Sequence, residues 1–173
     1  GHGDDEALLQ LKPTAAFKAI KQIAGEHLGQ TKLAEWMEDW HGNLVVIDAN
    51  GEKMEVADAV QKIRTITITA KAERTSSESN FGTSRSAMDS IEAKHAEKQP
   101  AELHFTTVPY EGLAARTFIL RISIRTGEKP TLMPRWAMQE QNEEDMAQEF
   151  KQVLLNELSE VADLTVGTFA IGK

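Results

Sequence analysis

Thr117-Phe118-Ile119-Leu120-Arg121-Ile122-Ser123-Ile124-Arg125 (TFILRISIR) is the stretch on which the reading of the fold depends. Phe118, Leu120, Ile122 and Ile124 share one parity, while Thr117, Arg121, Ser123 and Arg125, with Ile119, share the other. A period of two with one apolar face predicts a strand buried on one side only. Working outward, Leu103, Phe105 and Thr107 alternate in the same way before a turn at Pro109-Tyr110-Glu111-Gly112. On the other side Thr126-Gly127-Glu128-Lys129-Pro130 reverses the chain, and Leu132, Pro134, Trp136 and Met138 share one side of a returning strand. Pro134 has no N–H to give a ladder, so it must sit at an edge or a bulge. Three such strands joined by short turns predict an antiparallel meander.

Helical spacing brackets this region. Pro13 stands where a first helical residue belongs, and Ala16, Phe17, Ile20, Ile23 and Ala24 follow in one stripe up to Gly25 or Gly29. Thr31 is placed to cap a short second helix in which Leu33, Trp36, Met37 and Trp40 recur at i, i+3, i+4 and i+7, ending at His41-Gly42-Asn43. Leu44-Val45-Val46-Ile47 reads as a short buried strand stopped by the turn tetrad Asp48-Ala49-Asn50-Gly51. Glu55 to Lys62 reads as a brief helix or turn, and Thr65 to Ala70 as a strand. The last long element is a helix with Asn142 as cap, acids Glu143, Glu144 and Asp145 in the first turn, and a stripe of Met146, Phe150, Val153, Leu154, Leu158 and Val161. It is expected to close the core over one sheet face, with Thr165 to Ile171 adding a final strand. Strands and helices do not alternate in a βαβ rhythm, so the class is α+β: an antiparallel sheet packed by a long C-terminal helix and shorter N-terminal helices.

At 173 residues and 40% hydrophobic content, the chain suits one domain, 1–173, with one core. Residues 1–10 read as a tag remnant or flexible start, since Gly1-His2 replaces an initiator Met, and a preceding part of the protein is expected to be missing. Residues 75–100 open with the polar, small run Thr75 to Ser84 and read as a mobile loop, or as a weak helix over Ser84 to Lys98. With no cysteine there is no disulfide framework, thiolate metal site or cysteine nucleophile. No apolar run approaches the roughly 20 residues of a membrane span, and the start lacks a signal core. A cytoplasmic location is the expectation.

The net charge of -8 is unevenly spread. Gly1 to Val60 holds 5 basic and 11 acidic residues, Gln61 to Arg135 holds 12 and 8, and Trp136 to Lys173 holds 2 and 8. Acidic ends flanking a mildly basic middle argue against general polyanion binding and leave room for one basic face. Glycine-rich phosphate loops and the nucleophile elbow are absent, so nucleotide and hydrolase readings have no foothold. His27, His41, His95 and His104 lack metal-ligand spacing, and no catalytic residue, metal site or cofactor is assigned. The acid pairs Glu38-Asp39 and Glu143-Glu144 are accounted for by a solvated helix face and by helix capping.

Two clusters remain as candidates for binding. Arg121 and Arg125 share the wet parity of the best strand, Lys71 shares the polar parity of the strand expected near Thr65, and Arg116, Lys129 and Arg135 lie nearby in sequence. Together they would make a cationic sheet surface for single-stranded nucleic acid, with Tyr110, Phe81 and Trp136 available for stacking. The competing account is ordinary cross-strand pairing with Glu73, Glu102 or Glu111. Trp36, Met37 and Trp40 form either a partner-binding stripe or core, and the intervening acids favour core.

Leu33 to Trp40 (LAEWMEDW), Ser86 to Ala93 (SAMDSIEA), Pro109 to Leu113 (PYEGL), Arg116 to Ile124 (RTFILRISI), Lys129 to Leu132 (KPTL) and Met146 to Leu155 (MAQEFKQVLL) together resemble the YfdQ-like family of phage and prophage proteins. The resemblance runs from about Leu11 to about Gly172, the larger C-terminal part of a longer family member. That family carries a domain of unknown function. The resemblance implies a bacterial host cytoplasm and a genomic setting near replication and recombination genes, with no catalytic residues to carry over. The expected function is then a non-catalytic accessory protein that self-associates and binds an unidentified protein partner, with no membrane. A nucleic-acid factor acting through the basic sheet face is second, and an enzyme third.

Overall fold

The parity of the central strand decides which way every neighbouring element faces. In the computed structural model, which describes residues 8–66, 99–125 and 130–164, the elements in chain order are α1 (Ala15–Ile23), β1 (Leu28–Gly29), α2 (Gln30–Asp39), a 3-10 turn (His41–Asn43), β2 (Leu44–Asp48), β3 (Lys53–Met54), α3 (Val56–Thr65), β4 (Pro100–Thr107), β5 (Arg116–Arg125), β6 (Thr131–Trp136) and α4 (Gln139–Leu158). The six strands pair antiparallel in the order β1-β6-β5-β4-β2-β3. The expected meander is β4-β5-β6, and β2 joins it at the far side of β4.

One face of this sheet supplies the core. Leu44 and Val46 on β2, Leu103 and Phe105 on β4, Phe118 and Leu120 on β5, and Leu132 and Trp136 on β6 are all buried and all share the parity of Phe118. Against them lie Phe17, Ile20 and Ile23 of α1, Leu33, Trp36 and Met37 of α2, and Val60 and Ile63 of α3. At roughly 1.5–3 kcal/mol for each large side chain removed from water, this layer is the main favourable term. Phe17 is its hub: its ring centroid lies 5.2 Å from Phe118, 5.9 Å from Trp136 and 5.1 Å from Tyr110.

Local chemistry shifts several boundaries from those expected. Thr14, not Pro13, begins α1, because its Oγ accepts the Phe17 N–H and donates to the Val108 carbonyl, while Pro13 bridges Tyr110. Gly25, at φ 80, ends α1, and its N–H donates to the Pro134 carbonyl at 2.7 Å. A strand residue's N–H and C=O point to the same side, so that bond shows the Pro134 nitrogen facing away from β5, where no donor is required. Gly29 replaces Thr31 as the α2 cap, and the next residue, Gln30, turns its amide back to the Ile63 and Ile66 carbonyls at the end of α3. α3 runs through Thr65, so that residue is helical, its hydroxyl bonding the Gln61 carbonyl one turn back; residues 67–70 of the strand expected from Thr65 lie outside the described residues. Lys71, Phe81, Lys129, the helix expected over Ser84 to Lys98 and the strand expected at Thr165 to Ile171 lie outside the described residues. Pro100, assigned from sequence to the end of a loop, is buried as the first residue of β4.

The C-terminal helix departs most from expectation. It starts at Gln139, with Met138 before it in the left-handed conformation at φ 55, so Asn142 lies inside the first turn and not at the cap. Asn142 Oδ1 instead accepts the Trp136 indole N–H at 2.8 Å. Met138, expected beside Trp136 on the returning strand, sits 70% exposed in the intervening turn. α4 covers less of the core than α1, α2 and α3 do: it packs through Met146, Phe150 and an ion pair between Glu149 and Arg116, and Ile124, expected on the buried parity of β5, is 42% exposed. Beyond Phe150 the stripe is left largely uncovered.

The hub position of Phe17 gives a stability test. Phe17→Ala leaves a cavity that Phe118, Trp136 and Tyr110 cannot close together, and is expected to lower the unfolding free energy by about 3–5 kcal/mol in urea titration, against under about 1.5 kcal/mol for Phe17→Met.

Candidate binding face

The second parity of the same strands builds the other face of the sheet, and none of the buried core residues comes from it. Strand register places Ile47, Glu102, Arg121 and Arg135 in one row across β2, β4, β5 and β6. The adjacent row is Val45, His104 and Ile119, followed by Thr106 and Thr117, whose hydroxyls meet at 2.8 Å. On the other side of the first row come Ser123 with Met133, then Arg125 with Thr131. Ile47, Ile119 and Met133 are half-buried, and Val45, Arg121, Ser123, Arg125 and Arg135 are exposed. This is a wet sheet face whose middle carries Glu102 and Arg121, with half-buried Ile47, Ile119 and Met133 set apart around them and an arginine-rich side.

Its charges are only partly matched. Glu102 accepts from His104 Nε2 at 2.9 Å through one carboxylate oxygen and from Arg121 Nε at 3.1 Å through the other. Arg135 stands directly across from Arg121, a like-charge pairing that destabilises a sheet unless something negative lies over it. Arg125 and Arg135 make no ion pair among the described residues. The pairing of Arg121 with Glu102 is the ordinary cross-strand bridge that sequence raised as the competing account; the other two arginines are not absorbed by it.

Lys71 and Lys129 lie outside the described residues, and the other members of the proposed cationic cluster lie elsewhere. Arg116 shares the parity of Phe118 and so points to the helix side, where Glu149 holds it and also accepts the Ala114 N–H at 2.6 Å. Tyr110 packs edge-on against Phe17, and Trp136 is 5% exposed in the core, so neither ring is presented with the arginines. The alternation rule applied to residue 116 itself would have removed it from the wet face. His104 and Glu102, two residues apart on one parity, carried a legible signal that nearness to Arg121 alone did not bring out.

A family model described as an uncharacterized conserved protein, DUF2303, matches residues 1–169. The chain belongs to that family. No curated protein and no solved structure shows significant similarity to it. In this family member the Trp stripe is internal: Trp36 is 8% and Met37 0% exposed, Trp36 donates its indole N–H to the Ala19 carbonyl, and Trp40 packs on Phe105. These side chains were candidates for a partner site, and the structure gives them to the core. A cleft of about 720 Å³ lies beside β2 and α3, floored by Leu44 and Val60 and rimmed by His41, Lys53 and the Glu38–Arg64 ion pair. Among the described residues no three of His, Asp and Glu converge as a metal site requires. No helix there is long and apolar enough to cross a membrane.

The hydrogen bond from His104, assisted by Arg121, holds the Glu102 carboxyl below its usual range against the opposing effect of desolvation. A depressed carboxylate pKa stabilises the fold above the unfolded value of about 4.3, and that contribution is lost as pH falls through the folded value. Glu102→Gln is therefore expected to cost about 0.5–1 kcal/mol at pH 7, with the gap to wild type closing below about pH 4, in paired urea titrations.

Proposed function

We propose that the chain is a non-catalytic accessory protein that acts through protein–protein contact and self-associates. The observation that carries this reading is the second half of α4, where Leu158 is 36% exposed in line with half-buried Leu154, Val153 beside them is also 36% exposed, and Val161 in the turn that follows is 78% exposed. A helix that continues its apolar stripe past the point where it docks presents a surface suited to another helix or sheet. The core, drawn from Phe17 to Met146 as one cluster, supports reading residues 1–173 as one domain that offers this stripe outward. The phage or prophage setting, and with it the bacterial host cytoplasm, rests on the resemblance of the segments at Leu33–Trp40, Arg116–Ile124 and Met146–Leu155 to the YfdQ-like family.

Single-stranded DNA binding is the second reading, favoured by the placement of Arg121, Arg125 and Arg135 on one open face. The rings that would stack on bases do not share that face, which leaves phosphate contacts alone to supply affinity.

Light scattering over a range of concentrations tests the first reading. The wild-type chain is expected to exceed its 19.2 kDa monomer mass, and Leu154→Glu with Leu158→Glu to return it to that mass without altering the circular dichroism of the folded state. A monomer at every concentration up to about 100 μM would sink the proposal, since affinities weaker than that belong to contacts of only ~5 kcal/mol.

A further inference from the structure

We propose that the surface which receives this helix is the sheet face that the described residues leave uncovered, on a second copy, the two chains exchanging the ends of α4 about a two-fold axis. The proposal rests on the self-association read above and identifies both of its surfaces. A sheet face with half-buried Ile47, Ile119 and Met133 is stabilised by a covering layer, and the common cover for such a face is an amphipathic helix. The end of α4 supplies one: Leu154 and Leu158 fall within about 40° of one another on the helical wheel at 100° per residue, and exposed Val161 follows in the next turn.

Charge selects this cover over others. The last turn of α4 holds no basic residue, Glu157 lies within it, and Glu160 and Asp163 follow, so carboxylates crowd the end where the helix dipole is already negative. On the sheet, Arg125 and Arg135 lack ion-pair partners among the described residues and Arg135 faces Arg121. Each surface carries the charge that relieves the other. Placement agrees, because α4 leaves the sheet directly after β6, and the Ala137 N–H donates to the Ile119 carbonyl at 2.8 Å, beside the row to be covered. A helix starting at the border of the face it would cover in a partner suits reciprocal exchange, which closes as a dimer and buries the same two patches twice.

A chain without cysteine allows a clean test by disulfide trapping. Leu158→Cys protein mixed with Ser123→Cys or Thr117→Cys protein, variants that bracket the centre of the face on β5, is expected to give a cross-linked pair on mild oxidation. The yield should exceed by at least tenfold that of Leu158→Cys mixed with Lys18→Cys, which is exposed on α1 at the helix side. The same mixture in 1 M sodium chloride should cross-link several-fold less, since facing arginines and carboxylates are screened. Light scattering on the wild type then separates the two levels of the argument. A dimer that cross-links equally with Lys18→Cys overturns this placement and leaves self-association standing, whereas a monomer overturns both. A monomer that binds a 20-nucleotide oligo-dT, and loses that binding in Arg125→Glu with Arg135→Glu, assigns the face to nucleic acid and likewise overturns the proposal.

Discussion

Everything in this fold is arranged about the ring of Phe17. It touches Phe118 on the central strand, Trp136 at the end of the next, and Tyr110 in the loop before them, so one side chain fixes α1 to three separate places in the meander. The ring network continues from Phe118 to Trp136 at 5.3 Å with their planes perpendicular, an edge-to-face geometry that adds about 0.5–1.5 kcal/mol to burial. Polar contacts lock the same junction. Thr14 ties the start of α1 to Val108, and Gly25 ties its end to Pro134, so α1 spans the sheet like a bar bolted at both ends. With that bar in place, α1 holds the middle of the helix layer, while Ile124 further along β5 stays 42% exposed.

The contacts that place α4 lie in its first part. Trp136 donates to Asn142, Met146 enters the core, Phe150 packs on its border and Glu149 pairs with Arg116, all within the first twelve residues of the helix. Past that point the stripe emerges largely uncovered among the described residues. The arginine on β5 that sequence grouped with the wet face is the one α4 consumes.

Much of this was legible in sequence wherever a single local rule governs. Alternation in Thr117–Arg125 announced both faces of the sheet; the missing N–H of Pro134 suggested an edge or a bulge, and it sits in β6 past the end of β1, its nitrogen turned away from β5. The 3.6-residue spacing of Leu33, Trp36, Met37 and Trp40 named a buried stripe. What was not legible depends on contacts distant in the chain. Asn142 is a good capping residue by type, yet Trp136 recruits it into the helix, and Thr31 yields the cap to Gly29 while Gln30 serves α3. Thr65 reads in sequence as the start of a strand, but Ala59, Val60 and Ile63 bury a helical face that carries the helix through to Thr65. On the candidate face, sequence correctly aligned Arg121 with Arg125 but counted Arg116, Tyr110 and Trp136 by proximity along the chain. Parity and aromatic packing send those three to the other side.

The exposed half of α4 raises a question of helix energetics that the rest of the molecule answers. A free helical segment of about ten residues is marginal in water, because nucleation is costly and most helical stability in proteins comes from tertiary packing. Here the segment is continued from a docked half, which removes the nucleation cost but supplies little else. Its side-chain support is slight, the clearest being Gln152 bonded to Asn156 one turn on. Its C-terminal acids oppose the dipole, where lysine or arginine would favour it. A stripe of leucine and valine adds nothing to an isolated helix that could not be gained more cheaply from alanine. The segment makes physical sense as half of a contact: apolar residues that require cover and carboxylates that require cations, on a molecule whose sheet face holds, among the described residues, scattered half-buried apolar side chains and arginines that lack carboxylates.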